Sequence, residues 1–400
     1  NKRFLKIALT SCGLGHIKRG IETWTEDLAI ALRSCEEIDV TLYKGAEQKS
    51  AYNEVIIPCL KRTSGLNKWL IRHRPSFCWR FGLSTTYTLE EMTFTLNLLP
   101  ELLIRQFDII HTQDPDVAFI LQKFYRWGWL RSKVILGHGT EESFEFLKAF
   151  DYLQHLAPHH MEEAKAAGVK IKKAFAIGNF IDTKVFRPGI GRKLRQEIGV
   201  PQDAFVVLSV AAIKRHHKRI DYLIDEIAQI KNEKVYLLVA GASENETAGL
   251  INEAKTKLGR RAVFLTDFPR KQIQEVYAVA DVFALCSLKE MMPIALLEAI
   301  ASGLPAIVNR YPVEEWMIGP GGNAIDMARP GELSRTIQKY LDGEYRTQKS
   351  QLAREHAVEN FSKEVIVRQY LKMYEAVLSK ETNMTAALSD SVLVGNKEKM

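Results

Sequence analysis

Short unbroken apolar runs alternate along this chain with longer stretches in which apolar residues recur every three or four positions. In the first half the runs fall at Lys6 to Ser11, Asp39 to Lys44, Asp108 to Gln113, Lys133 to Gly137 and Ala174 to Ile177. They resume at Phe205 to Ala212, Tyr236 to Gly241, Ala262 to Thr266, Val282 to Ser287 and Pro305 to Asn309. Runs of this kind suit strands covered on both faces, and their alternation with helical stretches is the βαβ rhythm of a parallel sheet. Two doubly wound α/β sheets are the economical reading. Between them Pro188, Gly189 and Gly191 punctuate Asp182 to Val200, which places a linker there and predicts domains over 1–188 and 189–361. Over 362–380 the residues Val365, Ile366, Tyr370, Met373, Tyr374 and Val377 share one helical face, so a buried helix is expected. Residues 381–400 lack periodicity and read as a loose tail.

The densest chemistry lies in Cys286 to Asn309, CSLKEMMPIALLEAIASGLPAIVN, which reads as strand, loop, helix, turn, strand. Pro293 can start a helix and Gly303 can stop one, so the amides of Ile294, Ala295 and Leu296 form an anion site at a strand's carboxyl end. Glu290 and Glu298 bracket that helix start; they could take sugar hydroxyls and a ribose diol, or be a capping and a solvated glutamate. The first loop, SCGLGHIKRGIETW, sits where a phosphate-cradling turn belongs, or is a plain strand-to-helix turn. It is not a dinucleotide fingerprint, because Lys18 occupies the third glycine's place. The cationic run Lys214, Arg215, His216, His217, Lys218, Arg219 follows a strand directly and suits a diphosphate, or forms a solvated face. His138, beside a glycine at a strand end, can reach a cleft; His111 reads as structural.

Composition narrows the classes. The 400 residues carry a formal charge of +7, which favours anionic partners without choosing among them. Five scattered cysteines suggest neither a disulfide framework nor a zinc site, and point to a reducing, cytoplasmic compartment. A strand begins almost at once, leaving no room for a signal peptide, and no apolar run reaches spanning length. No His, Cys or Asp cluster with ligand spacing argues for a metal. From Val55 to Leu89 there is no acid, while Lys61, Arg62, Lys68, Arg72, Arg74 and Arg80 interleave with Trp69, Phe77, Trp79 and Phe81. This stretch reads as an acceptor loop facing anionic lipid or glycan, or as a packed insertion with a basic rim; nucleic acid lacks a recognition signature.

Glu290 and Glu298, followed by EAIASGLPAIV, resemble the donor-site motif of the retaining GT-B glycosyltransferases of family 4. GNFIDTKVFRP likewise resembles that family's N-G-V-D-x-x-x-F-x-P signature, with Phe180 in place of the usual glycine. The resemblance implies the GT-B fold, in which two Rossmann-like domains face a central cleft and a terminal helix crosses back to the first. It implies a retaining, metal-independent hexosyltransferase with no bound cofactor. A UDP-, GDP- or ADP-sugar would sit on the second domain and a lipid, glycan or small-molecule hydroxyl on the first, with membrane contact at most peripheral. In its terms His138 and Glu290 contact the donor sugar, and Lys218 holds the diphosphate together with the Met292, Ile294 and Ala295 segment. Glu298 takes the ribose, Phe268 walls the base, and Gly20 belongs to the loop nearing the phosphates, although Arg19 replaces the commoner glycine. The family's diphosphate arginine is Ala212 here, so either Lys214 or Arg215 substitutes or the charge complement is reduced. Rival readings are an epimerase or phosphorylase of the same fold, and a non-enzymatic module for anionic polymers. His16 in G-x-G-H also resembles the base of inverting GT-B enzymes.

Overall fold

The computed structural model describes residues 4–17, 20–45, 53–75, 83–189 and 191–379. Lys18, Arg19, Phe77, Cys78, Trp79, Arg80, Phe81 and the tail over 381–400 lie outside the described residues. Seven strands form the first sheet: β1 (Leu5–Ser11), β2 (Ile38–Lys44), β3 (Glu54–Ile56), β4 (Ile109–Thr112), β5 (Lys133–His138), β6 (Tyr152–His155) and β7 (Lys173–Ala176). Six form the second: β8 (Phe205–Val210), β9 (Val235–Gly241), β10 (Ala262–Thr266), β11 (Val282–Leu285), β12 (Ala306–Asn309) and β13 (Gly322–Ile325). The strand orders are β3-β2-β1-β4-β5-β6-β7 and β10-β9-β8-β11-β12-β13. Every pairing is parallel.

Each sheet is buried on both faces, as its unbroken Val, Ile and Leu runs require. In each, the order reverses between the first strand and the fourth, at β1/β4 and β8/β11. That reversal opens a crevice at the carboxyl ends of the strands. The loops that leave β1, β8 and β11 therefore reach the same space.

Helix Lys363–Leu378 follows the second domain in sequence but packs on the first. Ile366, Val367, Tyr370, Met373, Tyr374 and Val377 fill its buried face, with Val367 inside and Val365 only half-buried. Trp24 Nε1 donates to Tyr370 Oη at 2.9 Å, and Tyr374 Oη lies 3.0 Å from His111 Nδ1. His111 is fully buried, edge-on to Trp24, and burial pushes its pKa down to about 3. It is a neutral core residue. The two chain crossings run side by side: Ile181 N donates to Phe361 O at 2.9 Å and Lys363 N to Ile181 O at 3.0 Å. Arg354 holds the outgoing turn by donating to Thr183 O and Phe186 O at 2.9 and 2.8 Å.

Candidate active site

A cleft of about 1680 Å³ separates the two sheets and takes its walls from both. On the first side stand the β1 loop, the start of helix Gly20–Arg33, Lys61, Gln113 and the Gly139 to Glu141 turn. His16 N and Ile17 N close the β1 loop onto Gly13 O at 3.2 and 2.9 Å. A Cβ at Gly13 would lie 2.3 Å from Glu22 Oε1, so any side chain there would displace the Glu22 carboxylate. Gly20 lines the cleft at the helix start.

On the second side helix Ile294–Ala301 begins at Pro293, and Ile294 and Ala295 line the cleft, whereas Leu296, expected to offer its amide too, is buried and donates to Pro293 O at 3.1 Å. Met292 is buried; its sulfur accepts from Asn179 N at 3.0 Å, and its carbonyl accepts from Asn179 Nδ2 at 3.2 Å. Asn179 belongs to the signature that closes the first half, so Met292 couples the two domains as well as lining the cleft. Lys218 Nζ is ion-paired with Glu290, and His217 Nε2 lies 3.8 Å from the same carboxylate. The turn that presents them is tight: His217 and Arg219 both adopt left-handed backbone, at φ 69° and 50°. Such conformations in non-glycine residues cluster where a loop must aim particular side chains.

The cations beside Lys218 differ from the two expected. Neither Lys214 nor Arg215 is on the cleft wall. Arg215 is drawn outward by Glu253 at 2.6 Å and Asp221 at 3.5 Å. Arg219 lines the cleft instead, anchored to Cys286 O at 3.3 Å and Met327 O at 3.0 Å and resting over the Tyr222 ring. His216, His217 and Lys289 complete that wall.

Glu298 has no solvent exposure yet borders the cleft, because Arg270 covers it. One oxygen is ion-paired with Arg270 and the other accepts from Tyr277 Oη at 2.7 Å. Phe268 is absent from the wall; it is half-buried and packs toward the second core, while Arg270, two residues on, faces the cleft. His138 also stands behind the wall. It is 5% exposed, its Nδ1 lies 3.0 Å from His155 Nδ1, and burial aided by His160 pushes its pKa down to about 4. Gly139 and Thr140 face the cleft in its place.

The acid-free stretch divides in two. Arg62 turns inward, over the Tyr87 ring and ion-paired with Glu90, whose other oxygen lies 2.5 Å from His16 Nε2. Burial alone would raise the Glu90 carboxyl, but His16 and Arg62 hold it below its ordinary value. Lys61 lines the cleft, and Trp69 on helix Gly65–His73 is exposed.

Glu314, on the first turn of helix Pro312–Ile318, escaped the sequence reading because a glutamate there looks like an ordinary helix-start acid. It is buried near Glu290. Burial, then repulsion from Glu290, push its carboxyl up to about 8, with Lys218 opposing. The folded protein thus keeps a proton that the unfolded chain releases near the ordinary carboxyl pKa. The contribution of this group to stability is therefore full below that value and is lost as pH rises through about 8. Glu314→Gln, neutral throughout, should therefore gain melting temperature over wild type as pH rises from about 5 to about 8. A difference that is flat with pH in paired thermal melts would refute this.

Among the described residues no cluster of three His, Cys, Asp or Glu could hold a metal, and no helix is long and apolar enough to cross a membrane. Residues 191–359 match the family described as glycosyl transferases group 1. The N-acetyl-alpha-D-glucosaminyl L-malate synthase of Bacillus anthracis is 27% identical over 209 residues, 51% of this chain and 54% of that protein. A D-inositol 3-phosphate glycosyltransferase of Mycolicibacterium smegmatis is 30% identical over 206 residues, covering 50% and 46%. The chain spans about half the length of such curated relatives. Among solved structures, sucrose-phosphate synthase from Thermosynechococcus elongatus superposes with a TM-score of 0.75 at 18% identity, over 93% of this chain and 99% of that one. Anabaena Alr3699/HepE in complex with UDP and glucose gives 0.71 at 16% identity, over 93% and 100%. The fold is GT-B.

Proposed function

For a chain whose residues 191–359 match the glycosyl transferases group 1, we propose a retaining enzyme that moves a hexose from a nucleoside-diphosphate sugar to an acceptor hydroxyl. The observation that carries this reading is the meeting, on one wall, of the Lys218–Glu290 pair, Arg219 and the start of helix Ile294–Ala301. A departing diphosphate gains negative charge as the sugar bond breaks, and cations with free helix amides favour that state over the ground state. Glu290, released from Lys218 when the phosphates arrive, takes sugar hydroxyls. Glu298 takes the ribose once Arg270 moves aside. The acceptor hydroxyl attacks from the face of the leaving phosphate, whose oxygen receives its proton.

UDP is named with the Anabaena structure, which favours a uridine donor here. Lys61 and His16 on the acceptor wall suit a small anionic acceptor, of the kind that the two relatives' names describe for those proteins. The thiols of Cys12, Cys35, Cys59 and Cys286 are unpaired, in keeping with a cytoplasmic reaction. Incubation with UDP-, GDP- and ADP-sugars, followed by binding and slow hydrolysis, tests the donor class; no binding and no hydrolysis with any of them would refute it. Activity should survive a chelator, since Lys218 and Arg219 do the work of a magnesium bridge. Abolition by chelator with recovery on added magnesium would refute that part.

A further inference from the structure

Two exposed tryptophans stand at the end of the first domain remote from the cleft. Trp127 and Trp129 are 63% and 67% exposed, on a turn made possible by Gly128 at φ +77°. Phe124 props both rings, with centroids 5.6 and 5.5 Å away, so the aromatic tip is preset in shape. The neighbouring turn adds Ile104, 79% exposed; Ser132 Oγ donates to Phe107 O at 2.7 Å and joins the two turns. In a parallel sheet this edge, at the amino ends of the strands, faces away from the loops that line the cleft. Six-residue β5 alone separates Leu130 from Gly139 by about 20 Å.

The charge on the tryptophan turn itself has one sign. No acid occurs from residue 117 to residue 140, and Lys123, Arg126 and Arg131 are exposed. Of the acids at this edge, Asp151 is already paired with Arg126 at 2.8 Å and Lys172 at 3.4 Å, and Glu101 with Arg105 at 3.2 Å. Clustered exposed aromatics of this size on a water-soluble face mark a contact surface. A second copy meeting it through a twofold axis would set these cations against themselves, which disfavours self-association. Indole rings flanked by lysine and arginine match an anionic headgroup layer, where the apolar ring body is buried and its N–H stays wet.

We propose that the Trp127–Trp129 tip docks the first domain on anionic lipid membrane surfaces. The attachment leaves the cleft and the second domain unobstructed, and it does not depend on the donor reading.

The test uses phosphatidylcholine vesicles with and without phosphatidylglycerol. Wild-type protein should sediment with the anionic vesicles only, less so in high salt, with a blue shift of tryptophan emission. Trp127→Ser with Trp129→Ser should weaken association about tenfold or more, while nucleotide binding, read as a control for folding, stays unchanged. Equal sedimentation of wild type and double variant would overturn the proposal. So would a wild type that ignores vesicles but self-associates through these tryptophans in sedimentation velocity, which would assign the tip to a second copy.

Discussion

Lys218→Ala should lower turnover by about two orders of magnitude or more, the scale of removing one charge-stabilising contact from a transition state. Lys218 sits on the cleft wall and its ammonium is already turned inward, onto Glu290. Its charge matters most when the diphosphate leaves, so the loss should fall on kcat more than on KM. Core packing should be untouched, because the side chain borders the cleft and keeps 20% exposure. Steady-state kinetics with the preferred sugar nucleotide, together with its slow hydrolysis, would read the effect. An unchanged kcat would transfer the diphosphate to Arg219 and His217.

Glu298→Gln should weaken nucleoside diphosphate binding by roughly ten- to a hundredfold, since a charge-assisted hydrogen bond is worth about 1.5 to 3 kcal/mol. The carboxylate is buried between Arg270 and Tyr277, and both neighbours can tolerate the amide. Tyr277 can still donate to its oxygen, and Arg270, more than half exposed, can turn to water. The fold should therefore survive. Titration of the ribonucleotide against its 2′-deoxy analogue separates the roles: wild type should prefer the ribonucleotide and the variant should not. Retained preference would leave Glu298 as a partner of Arg270 alone.

Periodicity revealed the strands whose apolar runs are long, and it failed where a strand's chemistry is mixed or its length small. β6 carries Gln154 and His155, β3 has three residues, and β13 opens on glycine, so none of them stands out from a loop. At the site, the helix start at Pro293 was legible from local spacing, whereas Lys218, Glu290 and Glu298, which do line the cleft, stood out only through the family resemblance. Arg215 was not, since the acids that claim it, Glu253 and Asp221, lie on other elements. Phe268 left its expected place to Arg270 for a similar reason. Asp267, at φ 53° and bonded to Ser243 Oγ at 2.8 Å, turns the loop so that the aromatic ring meets the core and the guanidinium meets the cleft. His138 lost its cleft position to His155, a partner on the strand that the apolar pattern missed.

The return of helix Lys363–Leu378 to the first sheet has a bearing on biogenesis. The Trp24–Tyr370 hydrogen bond closes a loop of 346 residues, and His111 reaches its partner Tyr374 across 263. During synthesis the first domain leaves the ribosome long before the helix that covers Trp24, Leu28 and the flank of β1. The second domain, whose strands and helices are consecutive, can fold while that apolar face is still waiting. Vectorial folding should thus run out of chain order, with the nascent first domain open to chaperone capture until the final turns emerge.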